Sequence, residues 1–188
     1  NKIKHLGLNN FGKEVVKTCN ENDVIIDMSH IGEKSFWDIA AITNKPFIAS
    51  HSSVYELSPH FRNLKDDQIL EIKKVGGLIG LNPYPFFIDT SFKKKEEEFI
   101  KKFKNDLDQI DIKEFNKTAA WILKQHLLQK LLKDIVPPLD TFVDHIEYVI
   151  KLIGIDYVGI GSDYDGLDCL PYGWIDCMDH IKIVESLD

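Results

Sequence analysis

The fold is decided by the stretch Val24-Ile25-Ile26-Asp27-Met28-Ser29-His30, a short apolar run that ends in polar residues. Three later runs have the same character: Pro46–Ser50, Gly77–Asn82 and Tyr157–Gly161. Near-continuous apolar runs of this length are typical of strands that are buried on both faces, as in a parallel sheet. The sequence therefore predicts four parallel strands.

Helical patterns lie between these runs. Apolar residues recur at helical spacing in four segments, at about residues 11–19, 36–42, 69–75 and 142–153. Asn44, two residues before a proline, ends the second segment, and the glycines Gly76 and Gly154 end the third and fourth. Strands that alternate with helices predict successive βα units, and therefore an α/β fold with a parallel sheet.

The stretch from about residue 89 to residue 138 interrupts this alternation, because it is charged and helical in pattern and closes with Pro137 and Pro138. We interpret it as a helical insert in a single partial domain over residues 1–188. Four βα units are half of a (β/α)₈ barrel, which needs eight strands to fill its interior. An open doubly wound sheet is the other simple arrangement, and spacing alone does not choose between the two.

The composition excludes two classes of protein. With 30 acidic and 23 basic residues the net charge is -7, whereas a general nucleic-acid surface needs a basic excess. No window approaches the roughly 18 apolar residues of a membrane span, so we expect membrane anchoring only through segments outside this chain.

The chain begins with Asn1 rather than Met, so we expect sequence upstream. Cytoplasmic, secreted and membrane-anchored locations stay open.

Two histidines, His30 and His51, end consecutive predicted strands. In α/β folds the carboxyl ends of the strands are where ligands bind. Imidazole is the commonest metal ligand, and two on adjacent strands can converge on one ion. The alternative, in which each ring bonds a loop carbonyl, stays about equally open at this point. His145 falls in a predicted helix, where we expect a packing or surface role.

Four further polar residues are candidates for the site. Asp163, at the end of the fourth run, can orient or deprotonate an activated water, whereas Asp165 fits a turn. Arg62, in the loop after the second run, can hold a carboxylate in a bidentate fork. Asn82 and Tyr84, after the third run, are further candidates for substrate binding.

Seven short motifs follow one another along the chain: Phe11–Val16, Ile26–His30, Ile48–Ser52, Arg62–Leu64, Gly77–Asn82, Val143–Ile146 and Val158–Gly166. Their order and spacing resemble the membrane (renal) dipeptidase family of zinc hydrolases over nearly the whole chain. The resemblance implies a (β/α)₈ barrel of which this chain holds strands five to eight. It also implies two zinc ions, a dipeptide substrate with a free C-terminal carboxylate, and a homodimer as a candidate assembly.

The resemblance assigns roles to individual residues. His30 and His51 match two histidines that bind one of the zinc ions, and Arg62 matches the residue that grips the substrate carboxylate. Asp163 matches the acid near the bridging water, which carries a proton to the leaving amine. The tyrosine that the family has after its seventh strand has no clear match here, and Phe87 lies near that place.

The resemblance also identifies what the chain lacks. The family's His-x-Asp pair, its metal-bridging Glu and a further substrate-contacting His have no counterpart in these 188 residues. Because zinc needs at least three protein ligands plus water, we expect the isolated chain to be inactive. Two alternatives to a metallodipeptidase stay open: a truncated, non-catalytic half-barrel, and another amide hydrolase on the same scaffold.

Overall fold

The structure is a computed structural model that describes residues 6–108, 130 and 132–187. Strands alternate with helices along the chain. The helices and strands are, in order, α1 (Asn10–Glu21), β1 (Ile26–Asp27), α2 (Glu33–Ile42), β2 (Phe47–Ile48), α3 (Asp66–Lys74), β3 (Ile79–Leu81), α4 (Pro85–Ile88), α5 (Phe92–Asp108), α6 (Leu139–Ile153), β4 (Val158–Ile160) and α7 (His180–Leu187). Short 3₁₀ helices precede β4 and α7, at Ile155–Tyr157 and Cys177–Asp179.

The four strands lie side by side in the order in which they occur along the chain. β1 pairs with β2, and β3 pairs with β4, both in parallel. A parallel bridge between Ala49 and Ile79 joins the two pairs, and the Gly80 amide donates to the Ala49 carbonyl at 2.7 Å. This consecutive order suits a segment of a barrel, whereas a doubly wound sheet reverses its strand order at one point.

The strands are shorter than the apolar runs that predict them, with two or three residues each. Val24 and Ile25 precede β1 and are 54% and 66% exposed. They directly precede β1, which pairs with β2 on one side and with no strand of the described part of the chain on the other. An exposed apolar edge of this kind is a place where a further strand pairs.

The four predicted helical segments form α1, α2, α3 and α6. α1 begins after Asn9, whose side-chain oxygen accepts a hydrogen bond from the Gly12 amide at 2.8 Å and so caps the helix. α5 lies in the predicted insert, and residues 109–129 of that insert lie outside the described residues. None of the helices in the described ranges is long and apolar enough to cross a membrane.

The core lies between the strands and the helices that cover them. Its centre consists of fully buried side chains from β2, β3, α3 and α6: Phe47, Ile69, Ile72, Ile79, Leu81, Phe142 and Val149. Burying an aliphatic or aromatic side chain of this size stabilises the fold by about 1.5–3 kcal/mol. The core therefore fixes the strands, and with them the loops that follow their carboxyl ends.

Two glycines let neighbouring backbones approach closely beside the end of β2. A Cβ atom at Gly80 or at Gly161 would lie 2.1 Å from the Ser50 carbonyl oxygen. The one at Gly161 would also lie 2.9 Å from the His51 Cα. Only glycine fits such an approach, because backbone atoms cannot move aside as a flexible side chain can. These contacts set how near β4 lies to the loop that carries His51.

We expect Gly161→Ala to lower the free energy of unfolding by about 1–3 kcal/mol or more, since the added methyl group overlaps the Ser50 carbonyl. Gly159→Ala is the matched control, because its Cβ would meet only the Leu78 side chain, at 3.4 Å. That change should alter stability by about 0.5 kcal/mol or less. Urea denaturation of both variants measures the difference, and equal stabilities would contradict the close approach.

A buried histidine joins α6 to the loop after β2. The His145 side chain is 1% exposed, and its Nδ1 accepts a hydrogen bond from the Val54 amide at 3.1 Å. Its Nε2 lies 3.4 Å from the Ile88 carbonyl, so the ring is neutral with its proton on Nε2. Burial lowers the pKa of His145 to about 4, although the Ile88 carbonyl opposes the shift. His145 therefore has the packing role that its place in a helix predicts.

This histidine makes the fold sensitive to acid. Its pKa is lowered from 6.5 to about 4 on folding, so the unfolded chain binds a proton that the folded chain does not. The neutral His145 ring makes its full contribution to the free energy of unfolding above pH 6.5. That free energy falls by roughly 3 kcal/mol as the pH falls toward 4. We expect His145→Gln, which does not titrate, to lose this part of the pH dependence. Denaturation curves across this range test it, and parallel pH profiles for the two proteins would contradict it.

Candidate metal centre

Polar side chains converge at the carboxyl ends of the four strands. His30, His51 and Asp163 are each the third residue after their strand, and Asn82 directly follows β3. Because parallel strands end at the same edge of a sheet, these residues lie around one space. The structure thus brings together residues that are up to 133 positions apart in the sequence, since it joins His30 to Asp163.

Two imidazole rings face each other in this space. Nε2 of His30 lies 2.8 Å from Nε2 of His51, and the ring centroids are 4.8 Å apart. Burial lowers the pKa of His51, and the charges of Arg62 and His30 lower it further, against the effect of Asp163. A lowered pKa favours the neutral ring, which is the form that binds a metal. The convergent pair of nitrogens suits zinc and other transition metals that accept imidazole.

The two histidines are an incomplete ligand set. Within residues 6–108, 130 and 132–187, no group of three or more His, Cys, Asp or Glu side chains is placed to hold a metal ion. Zinc sites in proteins have at least three protein ligands. The donors present therefore fit a zinc ion that takes at least one further ligand from elsewhere.

A hydrogen-bond network reaches the Nδ1 side of the His51 ring. The Asp27 carboxylate accepts from the Ser29 amide at 3.1 Å, the Ser50 amide at 3.0 Å and the Ser50 hydroxyl at 2.5 Å. The same hydroxyl lies 2.7 Å from His51 Nδ1. Burial alone would raise the pKa of Asp27, but the hydrogen bonds from Ser50 and Ser29 together lower it. Asp27, Ser29 and Ser50 are not among the functional residues that the sequence predicts.

Arg62 lies beside the histidines with part of its guanidinium unused. Its Nε donates to the Ser29 carbonyl at 2.9 Å, and its Cζ lies 5.3 Å from the centroid of the Phe87 ring. Its Nη2 is buried and has no hydrogen-bond partner in the described part of the chain. A buried donor without a partner costs free energy, which a bound anion would recover. This nitrogen therefore lacks the partner that a bound anion would supply.

Asp163 is held at the site by its backbone and by Asn82. Its φ of 50° lies in the left-handed region, which side-chain-bearing residues seldom adopt. The fully buried Asn82 donates to an Asp163 carboxylate oxygen at 3.4 Å and accepts from the Tyr84 amide at 2.8 Å. Burial lowers the pKa of both His51 and Arg62, and the Asp163 carboxylate counteracts both shifts. Its charge is therefore close to both groups.

Tyr84 packs at the border of the site. Its ring centroid lies 5.0 Å from that of Phe87, and the Asp168 carboxylate is near its hydroxyl. Burial, with that neighbouring carboxylate, raises the pKa of Tyr84. Its substrate-binding role stays a prediction.

A cavity of about 850 Å³ opens beside His30 and Arg62. Aromatic side chains from α2 and the loop after β2 form part of its wall: Trp37, Tyr55 and Phe61. Cavities of this volume accommodate small organic ligands, which apolar walls bind and a few polar groups orient. The candidate metal ligand His30 and the candidate carboxylate-binding residue Arg62 thus face a space large enough for a dipeptide.

The chain is similar to several known proteins. It is 32% identical over 161 residues to an uncharacterized Klebsiella pneumoniae protein encoded in the pqqA 5′ region, an alignment that covers 86% of this chain and 45% of that protein. It is 30% identical to the solved structure of a probable dipeptidase, PvdM, from Pseudomonas aeruginosa. That match has a TM-score of 0.68 and covers 96% of this chain and 48% of PvdM.

A third match extends the likeness in fold. The structure of a Rhodobacter sphaeroides metallopeptidase, solved with a phosphinate mimic of the dipeptide L-Ala-D-Ala, superposes with a TM-score of 0.69 at 24% identity. The match covers 96% of this chain and 40% of that one, so the chain spans less than half of each of these three relatives.

A profile of the membrane dipeptidase family matches the chain from residue 1 to residue 188. This match covers every motif on which the sequence resemblance depends, from α1 to the loop after β4. The chain therefore belongs to the membrane dipeptidase family, peptidase family M19.

Proposed function

We propose that the protein with this chain is a zinc-dependent dipeptidase. One observation carries the proposal: two imidazole nitrogens converge at 2.8 Å beside the half-buried Arg62, whose buried Nη2 has no partner in the described residues. A metal-ligand pair next to an anion-binding group suits hydrolysis of a peptide with a free carboxylate once further ligands complete the metal site. Membership of the dipeptidase family supports the same reaction.

His30 and His51 would hold one zinc ion through Nε2. When bound, zinc supplies a Lewis acid that polarises the scissile carbonyl and activates water for attack. The second ion that the family resemblance implies would need ligands that are not among these 188 residues. This incomplete set is also why we propose that the 188-residue chain is inactive when isolated.

The remaining residues would bind the substrate and move a proton. Arg62 would bind the C-terminal carboxylate of the dipeptide through Nη2, while its Nε stays on the Ser29 carbonyl. Asp163 would take a proton from the attacking water on a carboxylate oxygen and deliver it to the amine nitrogen as the peptide bond breaks. Asn82 would keep that carboxylate oriented.

The proposed scaffold is a closed (β/α)₈ barrel in which β1 to β4 are strands five to eight. The consecutive strand order and the apolar edge outside β1 support this assignment. In a closed barrel that edge would pair with another strand, and the active site would lie at the carboxyl end of the ring. The bound phosphinate in the Rhodobacter sphaeroides enzyme supports a dipeptide-like substrate here.

Removal of either histidine should abolish activity. In the full-length protein we expect His30→Ala and His51→Ala each to lower dipeptide hydrolysis by roughly a thousandfold, because the Lewis acid supplies several kcal/mol. Zinc content, measured by atomic emission, should fall by about one ion per chain. His180→Gln, which changes a histidine outside the site, is the control. Two zinc ions per chain in the alanine variants would refute the ligand assignment.

The substrate's carboxylate tests the role of Arg62. We expect Arg62→Ala to reduce kcat/KM for a dipeptide by roughly 30-fold to several thousandfold, the effect of about 2–5 kcal/mol from loss of a buried charge partner. The same dipeptide with a C-terminal amide should be affected much less, since it offers no carboxylate. Steady-state kinetics with both substrates measure the difference. Equal losses on the acid and the amide would show that Arg62 does not bind the carboxylate.

A further inference from the structure

We propose that Ser50 and Asp27 are positioning residues that fix the tautomer of His51. In this arrangement Nδ1 of His51 carries the ring proton, and the Nε2 lone pair points toward His30 and a bound metal. The inference rests on the proposed function, because it assumes that His51 is a metal ligand. It adds a residue pair that acts on the metal only through His51.

The direction of each hydrogen bond follows from what each group can donate. The Asp27 carboxylate has no proton to give, so it must accept from Ser50. A serine hydroxyl has one proton, and Asp27 Oδ2 is nearer to Ser50 Oγ, at 2.5 Å, than His51 Nδ1 is, at 2.7 Å. Once that proton points to Asp27, Ser50 Oγ faces His51 only with lone pairs. His51 Nδ1 must then be the donor, and the proton is on Nδ1.

Backbone contacts hold the three groups in line. Asp27 ends β1, and its Oδ1 accepts the amides of Ser29 and Ser50, so the carboxylate bridges the ends of two strands. The His51 amide donates to the Ser29 hydroxyl at 2.9 Å, which fixes the backbone that carries the ring. Ser29 is itself buried, at 4% exposure. We call the hydrogen-bonded series Asp27–Ser50–His51 the relay. Both of its ends are therefore anchored by backbone contacts.

His30 differs from His51 in this respect. Within the described part of the chain, the hydrogen bond that His30 makes through its ring is the one between its Nε2 and His51. No side chain there holds its Nδ1 as Ser50 holds that of His51. The relay therefore contacts one of the two ligands directly. Because one Nε2 must donate to the other across the 2.8 Å contact, a change to Ser50 or Asp27 that moves the His51 proton to Nε2 should also move the His30 proton to Nδ1.

Two variants of the full-length protein test the relay by different changes that should shift the His51 tautomer in the same direction. Ser50→Ala removes the hydroxyl and leaves Nδ1 without its partner. Asp27→Asn puts an amide where the carboxylate was, and its NH₂ group can donate to Ser50, which would then give its own proton to His51 Nδ1. Ser50→Thr keeps the hydroxyl and should rescue the effect. Ser52→Ala is the matched control, because the buried Ser52 hydroxyl has no partner in the described residues.

The tautomer is read from long-range ¹H–¹⁵N spectra of zinc-depleted, ¹⁵N-histidine-labelled protein at alkaline pH. The His51 signals are identified by their absence from His51→Ala. We expect Nδ1–H in the unmodified protein, in Ser50→Thr and in Ser52→Ala, and a shift toward Nε2–H in Ser50→Ala and Asp27→Asn. Zinc affinity, measured by competition with a chelator, should fall roughly 10- to 100-fold in the latter two variants.

The outcomes separate this inference from the proposed function. If the unmodified protein binds zinc through His51 but the four variants share its tautomer and its zinc affinity, the relay is refuted and the metal site stands. If His51→Ala binds as much zinc as the unmodified protein, the proposed metal site fails, and this inference fails with it. Loss of Nδ1–H together with weaker zinc binding in Ser50→Ala, reversed in Ser50→Thr, would support the relay.

Discussion

The Asp27 carboxylate joins the carboxyl ends of β1 and β2, and the geometry of the candidate site depends on that junction. It accepts the amides of Ser29 and Ser50, which fixes the two loops relative to each other. Through the Ser50 hydroxyl it reaches His51, and the neighbouring Ser29 carbonyl holds the Nε of Arg62. Asp27 thus sets the position of His51, the candidate metal ligand. Through the loop that it fixes, it also sets the position of Arg62, the candidate substrate-binding residue.

Much of the fold could be predicted because the signals for it are local. Apolar runs and helical spacing gave the places of four strands and four helices, and the carboxyl-end rule placed His30, His51 and Asp163 at one edge. The strand lengths could not be predicted, since pairing depends on a partner and β1 has one on only one side. The proximity of Asp168 to Tyr84 could not be predicted either, because no spacing pattern relates two residues so far apart.

The supporting residues escaped the sequence analysis for a different physical reason. An aspartate and a serine at the ends of strands look the same whether they cap a loop or orient a ligand. Only the distances distinguish the two roles: Ser50 Oγ lies within hydrogen-bond reach of both Asp27 and His51. An aspartate three residues before one candidate ligand and a serine directly before the other are the signal that could have identified them.

The exposed apolar edge of β1 couples the candidate metal centre to the pairing of a further strand. His30 and His51 follow β1 and β2, the strands nearest that edge, and these two candidate ligands are fewer than the three or more that zinc requires. An ion that takes a further ligand from a strand beyond this edge would link that strand to β1 and β2. Metal uptake and assembly of the barrel would then be one thermodynamic event, and each would strengthen the other.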